Sequence, residues 1–306
     1  MDATIHHLDH DLYLIVLSPP IKGFHEFIGA WLVNGPEAVY LVDVGPAATA
    51  EQLILAIGSL GVDRLDYICL THIHMDHAGA VGHLAERFPG ARVVCHPKGI
   101  PHIIDPERLW QGTVKTLGET GRAYGKMLPV DPTRIAGQDQ LAAAPFQLID
   151  TPGHSPHHFA IDAGPYLFAG EAGGVCLPLP ADDYYLRPAT PPRFFLETSL
   201  SSIDRLMAVR PEILCYGHLG MHRGGMEMLA RHREQLIFWE KTLAAEAEGE
   251  AMDAGDFADR WVDLLLASDP LLRGYSRLAP AVQARERYFL LNSVKGFAGY
   301  LVEKPI

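Results

Sequence analysis

His72, His74, Asp76 and His77 fall within six positions of the stretch THIHMDHAGA (71–80) and spell H-x-H-x-D-H. Imidazole and carboxylate are the ligand types that hold zinc or iron. The chain is rich in histidine, 16 among 306 residues, yet composition alone would produce this spacing in only roughly a few per thousand such chains. An apolar run, YICLTH (67–72), leads into the motif. A strand followed at once by a turn and a helix start lets His72 and His74 point one way while Asp76 and His77 fold back toward a neighbouring spot. Six residues can then fill two adjacent cation sites. Three more ligand types stand at the ends of apolar runs: His154 closes FQLIDTPGH, Glu171 closes YLFAGE and His218 closes EILCYGH. Each precedes or sits in a Gly-containing loop, where scaffolds of alternating strands and helices carry their chemistry. Singly, each of the three reads more often as a satisfied structural residue. Four run-ends carrying the same ligand types read as one set.

Those residues need strands to deliver them. LYLIVL (12–17), AWLVNG (30–35), AVYLVDVG (38–45), YICLTH (67–72), ARVVCH (91–96), FQLIDTPGH (146–154), YLFAGE (166–171) and EILCYGH (212–218) have the length and apolar character of buried strands. Helical periods occupy 47–60, 78–88 and 194–209. From about residue 222 the period becomes helical throughout, with helices expected over 223–250, 253–269 and 280–304; Pro280 suits a first-turn position. The Pro-rich stretch 177–194 reads as an ordered loop. The expected division is a domain over 1–221 and a helical extension over 222–306.

The order H-x-H-x-D-H, TPGHSPHH, LFAGE, CYGH resembles the metallo-β-lactamase superfamily, over residues 10–220. The resemblance implies an α/β fold, an αββα sandwich with a dinuclear metal site, here followed by an all-helical C-terminal extension. Carried over residue by residue, it implies that His72, His74 and His154 hold one metal and that Asp76, His77 and His218 hold the other. Glu171 stands where the family usually has a bridging aspartate, and its extra methylene adds ~1.5 Å of reach against metal–ligand distances held within about ±0.2 Å. It is expected to bridge the metals or to bind one of them. Asp43, in YLVDVGP, matches the family's aspartate that orients ligands. The cofactors implied are two divalent ions, zinc or iron, with manganese equally suited to these ligands.

The chemistry implied is metal-assisted hydrolysis by a metal-bound hydroxide, with Asp76 orienting the nucleophile as the catalytic residue. No G-x-S-x-G elbow suggests another nucleophile. The layout resembles the glyoxalase-II-like group, which implies a small acyl substrate: a thioester, lactone or ester. Substrate contacts are expected from 18–31 with His25, from 96–110 with His102 and Trp110, and from the Pro-rich stretch with Tyr184, Tyr185 and Phe194; of His157 and His158, one is expected to cap the pocket or donate to a substrate oxygen, or else to stand on the surface or behind the metal ligands. The C-terminal helices would lid the pocket or form a homodimer face, and their Trp239, Trp261 and Phe289 read as core contacts. Rival readings are a phosphodiesterase of the same fold, an iron-dependent persulfide-dioxygenase-like enzyme, and a ligand-binding protein that keeps its metal site without catalysis.

Charge and composition narrow these readings. A net charge of −12 with scattered cations weighs against nucleic-acid partners, which call for a basic stripe. No run reaches the ~18 apolar residues of a membrane span, and the N-terminal stretch lacks the basic start of a signal peptide; a cytoplasmic location is expected. Cys69, Cys95, Cys176 and Cys215 lie far apart among apolar residues, the pattern of buried, reduced thiols.

Overall fold

The apolar runs at the start of the chain line up in sequence order as one sheet. In the computed structural model, which describes residues 3–247 and 256–303, the sheet holds β1 (Thr4–His7), β2 (Leu12–Leu17), β3 (Ile28–Asn34), β4 (Val39–Val42), β5 (Tyr67–Cys69) and β6 (Arg92–Val94), in that spatial order. The first three pairings are antiparallel and the last two parallel. Parallel neighbours need a crossover, and the helices Ala50–Ser59 and Val81–Arg87 supply it. Ala50–Ser59 buries Ala50, Leu53, Ala56 and Ile57, the single apolar stripe of a helix lying on a sheet. All four residues of β4 are buried, as expected of a strand covered on both faces.

The structure differs from the sequence reading between residues 96 and 110. Helices Ile100–Ile104 and Glu107–Leu117 fill most of that stretch, which was expected to be a pocket loop, and they carry His102 and Trp110. Glu107–Leu117 buries none of its residues, so it has no core-facing stripe for a periodicity argument to find. Further strands are β7 (Gln147–Asp150), β8 (Phe159–Ala163), β9 (Tyr166–Gly170), β10 (Val175–Leu179), β11 (Asp183–Arg187), β12 (Ile213–Tyr216) and β13 (Met221–Arg223).

Contacts divide the chain into two units that interleave along the sequence. One takes the chain to Leu148 together with His157–Ala163 and Gly217–Leu219. The other takes Ile149–Pro156, Gly164–Tyr216 and the chain from Gly220 onward. In the second unit β12 runs parallel to β9 and antiparallel to β13; β13 spans the expected boundary at 221/222. The Pro-rich stretch is a second departure. Most of it forms a hairpin in which β10 pairs with β11, Leu177 opposite Tyr185, across a turn where Ala181 and Asp182 take positive φ. Pro178 argues against a strand reading, and it is tolerated because this sheet has only two strands.

The helical C-terminal quarter of the chain matches its sequence signal. Helices run Gly225–Ala247, Phe257–Ser268 and Pro280–Glu303; the expected helical residues 248–250, 253–255 and 304 lie outside the described ones. Trp239 and Trp261 are buried in this unit, and Trp239 packs on Phe297. Among the described residues no helix is long and apolar enough to cross a membrane.

One ion cluster is buried with these helices. Glu286 accepts from Arg187 Nε at 2.5 Å and from Arg285 Nε at 2.8 Å, and the Arg187 guanidinium also lies over the Phe289 ring. Burial alone would raise the Glu286 carboxyl, but the two guanidiniums outweigh it and hold it below the usual carboxylate range. A depressed folded-state pKa contributes stability above the unfolded-state value, and that stability is lost as pH falls through the folded-state value. Glu286→Gln leaves two guanidiniums without their carboxylate and is expected to cost on the order of 3–5 kcal/mol. A urea midpoint at neutral pH reads the loss, and the gap from the parent should narrow at acid pH.

Candidate metal centre

Each unit holds its own group of donors. In the first, the chain leaves β5 at Cys69 and passes straight through Thr71–His74 into the short helix Met75–Ala78. Asp43, at the end of β4, holds this turn in place. Its carboxylate accepts from Thr71 N at 2.8 Å, from Thr71 Oγ1 at 2.9 Å and from His77 Nδ1 at 2.9 Å. Asp43 is buried and takes φ 59°, a conformation that costs energy for a side-chain-bearing residue and persists where the surroundings impose it. Two residues on, Gly45 also has positive φ, and a Cβ there would stand 2.4 Å from Leu17 Cδ1. The backbone ties run the same way: Asp43 N donates to Cys69 O, and Val44 N to His77 O.

These bonds settle which ring nitrogens face inward. His77 donates Nδ1–H to Asp43, so Nε2 carries the lone pair. Thr71 has one hydroxyl proton, and the carboxylate takes it; His72 Nδ1, 3.0 Å from that hydroxyl, must then donate, which again leaves Nε2 as the basic nitrogen. His72 Nε2 lies 3.0 Å from His74 Nδ1. Asp76 and His77 sit on the short helix Met75–Ala78 that follows. His218 reaches the same unit from the three residues Gly217–Leu219. Its ring stacks on Phe27 at 4.0 Å, and its backbone bridges Ile28. Donor atoms of Asp76, His77 and His218 lie within 4.8 Å of one another, and His77 and His218 are buried. Three such donors aimed at one spot fit a divalent cation.

The second unit holds two donors. β9 is buried along its whole length and ends at Gly170, whose φ of 53° turns the chain into Glu171. Glu171 Oε2 stands 2.7 Å from His154 Nε2. His154 Nδ1 lies 2.8 Å from Ala189 O; a carbonyl can only accept, so Nδ1 carries the proton. A basic nitrogen and a carboxylate oxygen this close call for a proton or a cation between them, so this pair also fits a metal.

The remaining candidates lie in different surroundings. His157 is half-buried with its ring 5.9 Å from His74, and His158 is fully buried 5.1 Å from His72. His25 is exposed, and His102 is half-buried on its helix. In the second unit Tyr184 sits beside His222 and bonds Arg231, while Tyr185 is fully buried against Tyr275. Two participants escaped the sequence reading. Thr71 is a hydroxyl inside a strand-end motif, where nothing marks it out; the Ala189 carbonyl carries no side-chain signal. All four cysteines are free and buried, and burial pushes the Cys95 and Cys176 thiols up to about 12, as expected of inert structural thiols.

The sequence profile of the Metallo-beta-lactamase superfamily matches residues 27–218, a stretch that takes in every donor named above. The chain belongs to the metallo-β-lactamase superfamily. It is similar to the metallo-beta-lactamase fold-containing protein ST1585 of Sulfurisphaera tokodaii, 25% identical over 70% of this chain and 80% of that one. A hydroxyacylglutathione hydrolase of Acidiphilium cryptum is 29% identical over 81% of this chain and 86% of its own length. Among solved structures, the metallo-beta-lactamase family protein TTHA1429 from Thermus thermophilus superposes with a TM-score of 0.64, at 22% identity, covering 96% of this chain and 93% of that one. The fold class is thus the expected one, α/β of the metallo-β-lactamase type with a helical C-terminal region.

Asp43→Asn removes the charged acceptor from both Thr71 and His77. Metal affinity is expected to fall ~10–100-fold, the usual cost of losing a partner that orients a ligand. Competition against a coloured chelator measures it.

Proposed function

We propose that the chain is a metal-dependent hydrolase of a small acyl substrate: a thioester, lactone or ester. The observation that carries this reading is the trio Asp76, His77 and His218, with donor atoms within 4.8 Å of one another, beside the paired rings of His72 and His74. In this reading His72, His74 and His154 would hold one divalent ion, Asp76, His77 and His218 would hold a second, and Glu171 would bind one or both. Zinc or iron suits the donors, and manganese also fits them. Ions bound there supply Lewis acidity toward the substrate carbonyl and a water-derived nucleophile near neutral pH.

The chain's own groups do the rest. Asp43 keeps the proton on His77 Nδ1, so that Nε2 stays a donor to the metal. The Asp76 carboxylate accepts a hydrogen bond from the attacking water and aims it. Phe27, stacked on His218, fixes that ring and keeps its far face dry. Hydrolysis of an acyl substrate is supported by the similarity to a hydroxyacylglutathione hydrolase, whose name describes hydrolysis of a hydroxyacyl derivative of glutathione. The net charge of −12 favours a small molecule over a phosphate polymer. The same reading takes the protein to be cytoplasmic and 1–221 to be the catalytic region, with 222–306 as its extension.

Elemental analysis of protein purified without chelator or an immobilised-metal column is the test, followed by a panel of thioesters, lactones and phosphodiesters. About two ions per chain and turnover of an acyl substrate are expected. One iron per chain without hydrolysis would instead favour oxygen chemistry, and a metal-free chain would overturn the proposal. His72→Ala should lose metal and hydrolysis together, by ~10²-fold or more in rate, given the several kcal/mol that Lewis-acid catalysis supplies. Glu171→Asp should keep or raise occupancy of the second metal if the carboxylate bridges, and an unchanged metal content with unchanged rate would remove Glu171 from the site.

A further inference from the structure

Residues 187–191, which follow β11, are held along one side of the C-terminal helix Pro280–Glu303. Arg187 pairs with Glu286. Ser293 Oγ donates to Pro188 O at 3.4 Å, and Thr190 Oγ1 donates to Ser293 O at 3.1 Å. Gly296 lets the helix come close: a Cβ there would stand 2.3 Å from Pro191 O and 3.3 Å from Thr190 Oγ1. Four consecutive contacts on residues 286, 293 and 296 thus fix a five-residue strap whose side chains are mostly buried. In the middle of that strap the Ala189 carbonyl points at His154 and receives its Nδ1 proton at 2.8 Å.

We propose that the C-terminal helix is the positioning element for His154: through Thr190, Ser293 and Gly296 it holds the Ala189 carbonyl where it keeps the proton on Nδ1 and presents Nε2. The inference rests on the reading of His154 as a metal ligand. It gives the helical region a role other than lid or dimer face. A ring nitrogen that donates to a fixed carbonyl has one tautomer and one orientation, and both are what a metal requires of its ligand. When the strap is free to shift, the carbonyl leaves the ring, Glu171 at 2.7 Å from Nε2 competes for the ring proton that Nδ1 had held, and affinity drops because a larger fraction of the rings faces the metal with N–H. Glu171 and His154 line one small cavity together with Ala189 and Thr190 of the strap. The strap therefore borders both donors of this unit.

Nitrogen-15 NMR of the imidazoles at one fixed pH tests the idea without any turnover. In metal-free protein the His154 resonances, assigned by their loss in His154→Gln, should show Nδ1 protonated. Thr190→Val combined with Ser293→Ala removes both hydroxyl bonds to the strap, and Gly296→Ala pushes the helix off Pro191. Each should move His154 toward a mixture of tautomers and lower zinc affinity by ~10-fold or more, while Thr190→Ser keeps both at parent values. A folded variant with the His154 tautomer and zinc affinity of the parent would overturn the proposal, whatever its melting temperature. Gly296→Ala alone serves if the double variant does not fold. Should the parent take up no metal while the tautomer still follows the strap, the hydrolase reading fails and the positioning role stands.

Discussion

A single buried carboxylate organises the first unit's donors. Asp43 accepts three hydrogen bonds, two from Thr71 and one from His77, and it does so from a backbone conformation that ordinary side chains avoid. Charge-assisted bonds of this kind are worth roughly 1.5–3 kcal/mol each, enough together to hold a strained φ of ~1–3 kcal/mol. The strain has a geometric use. It turns the carboxylate at the end of β4 sideways onto the turn after β5, so two neighbouring parallel strands become the two walls of one ligand group. Two ring-proton positions in that group follow from it: His77 directly, and His72 through the Thr71 hydroxyl.

The second unit reaches the same end by different means. His154 leans on a backbone carbonyl, a neutral acceptor, where His77 leans on a full charge. A carboxylate partner raises the basicity of the ring it holds more than a carbonyl does, so the two imidazoles differ as donors although both present Nε2. Accuracy in the carbonyl's case has to come from packing, because a peptide oxygen goes wherever its strand goes. This explains why so much of the buried polar structure of this unit, Glu286 between two arginines and Ser293 between two loop residues, is concentrated on a five-residue strap.

Motif residues were legible in the sequence because their chemistry depends on side-chain type and spacing. His72, His74, Asp76 and His77 could be read from one short segment, and the strand ends at His154, Glu171 and His218 from apolar runs that stop at glycine. Core strands such as β2 and β12 and the long C-terminal helices were equally plain, since burial writes itself as hydrophobicity. Other parts carry no such mark. The helix Glu107–Leu117 buries nothing and so shows no stripe. Pro178 disguised the hairpin of β10 and β11, because a proline in a run normally denies it a ladder. Thr71 and the Ala189 carbonyl act through position alone. Tyr185 shows the converse: an aromatic in a Pro-rich stretch looks like pocket lining, and in the structure it is fully buried against Tyr275.

His218 meets Phe27 and Ile28 from the far side of the matched region, with nearly the whole α/β part of the chain looped between them. Contacts between such distant residues form late, because loop closure costs entropy before the contact gives anything back. The peptide bearing H-x-H-x-D-H carries four donor residues within six positions, but the fifth comes from the far end of the matched region. The completed trio of Asp76, His77 and His218 is therefore a signature of the first unit's completed fold, and a cation that selects three donors there discriminates between that folded unit and the states that precede it.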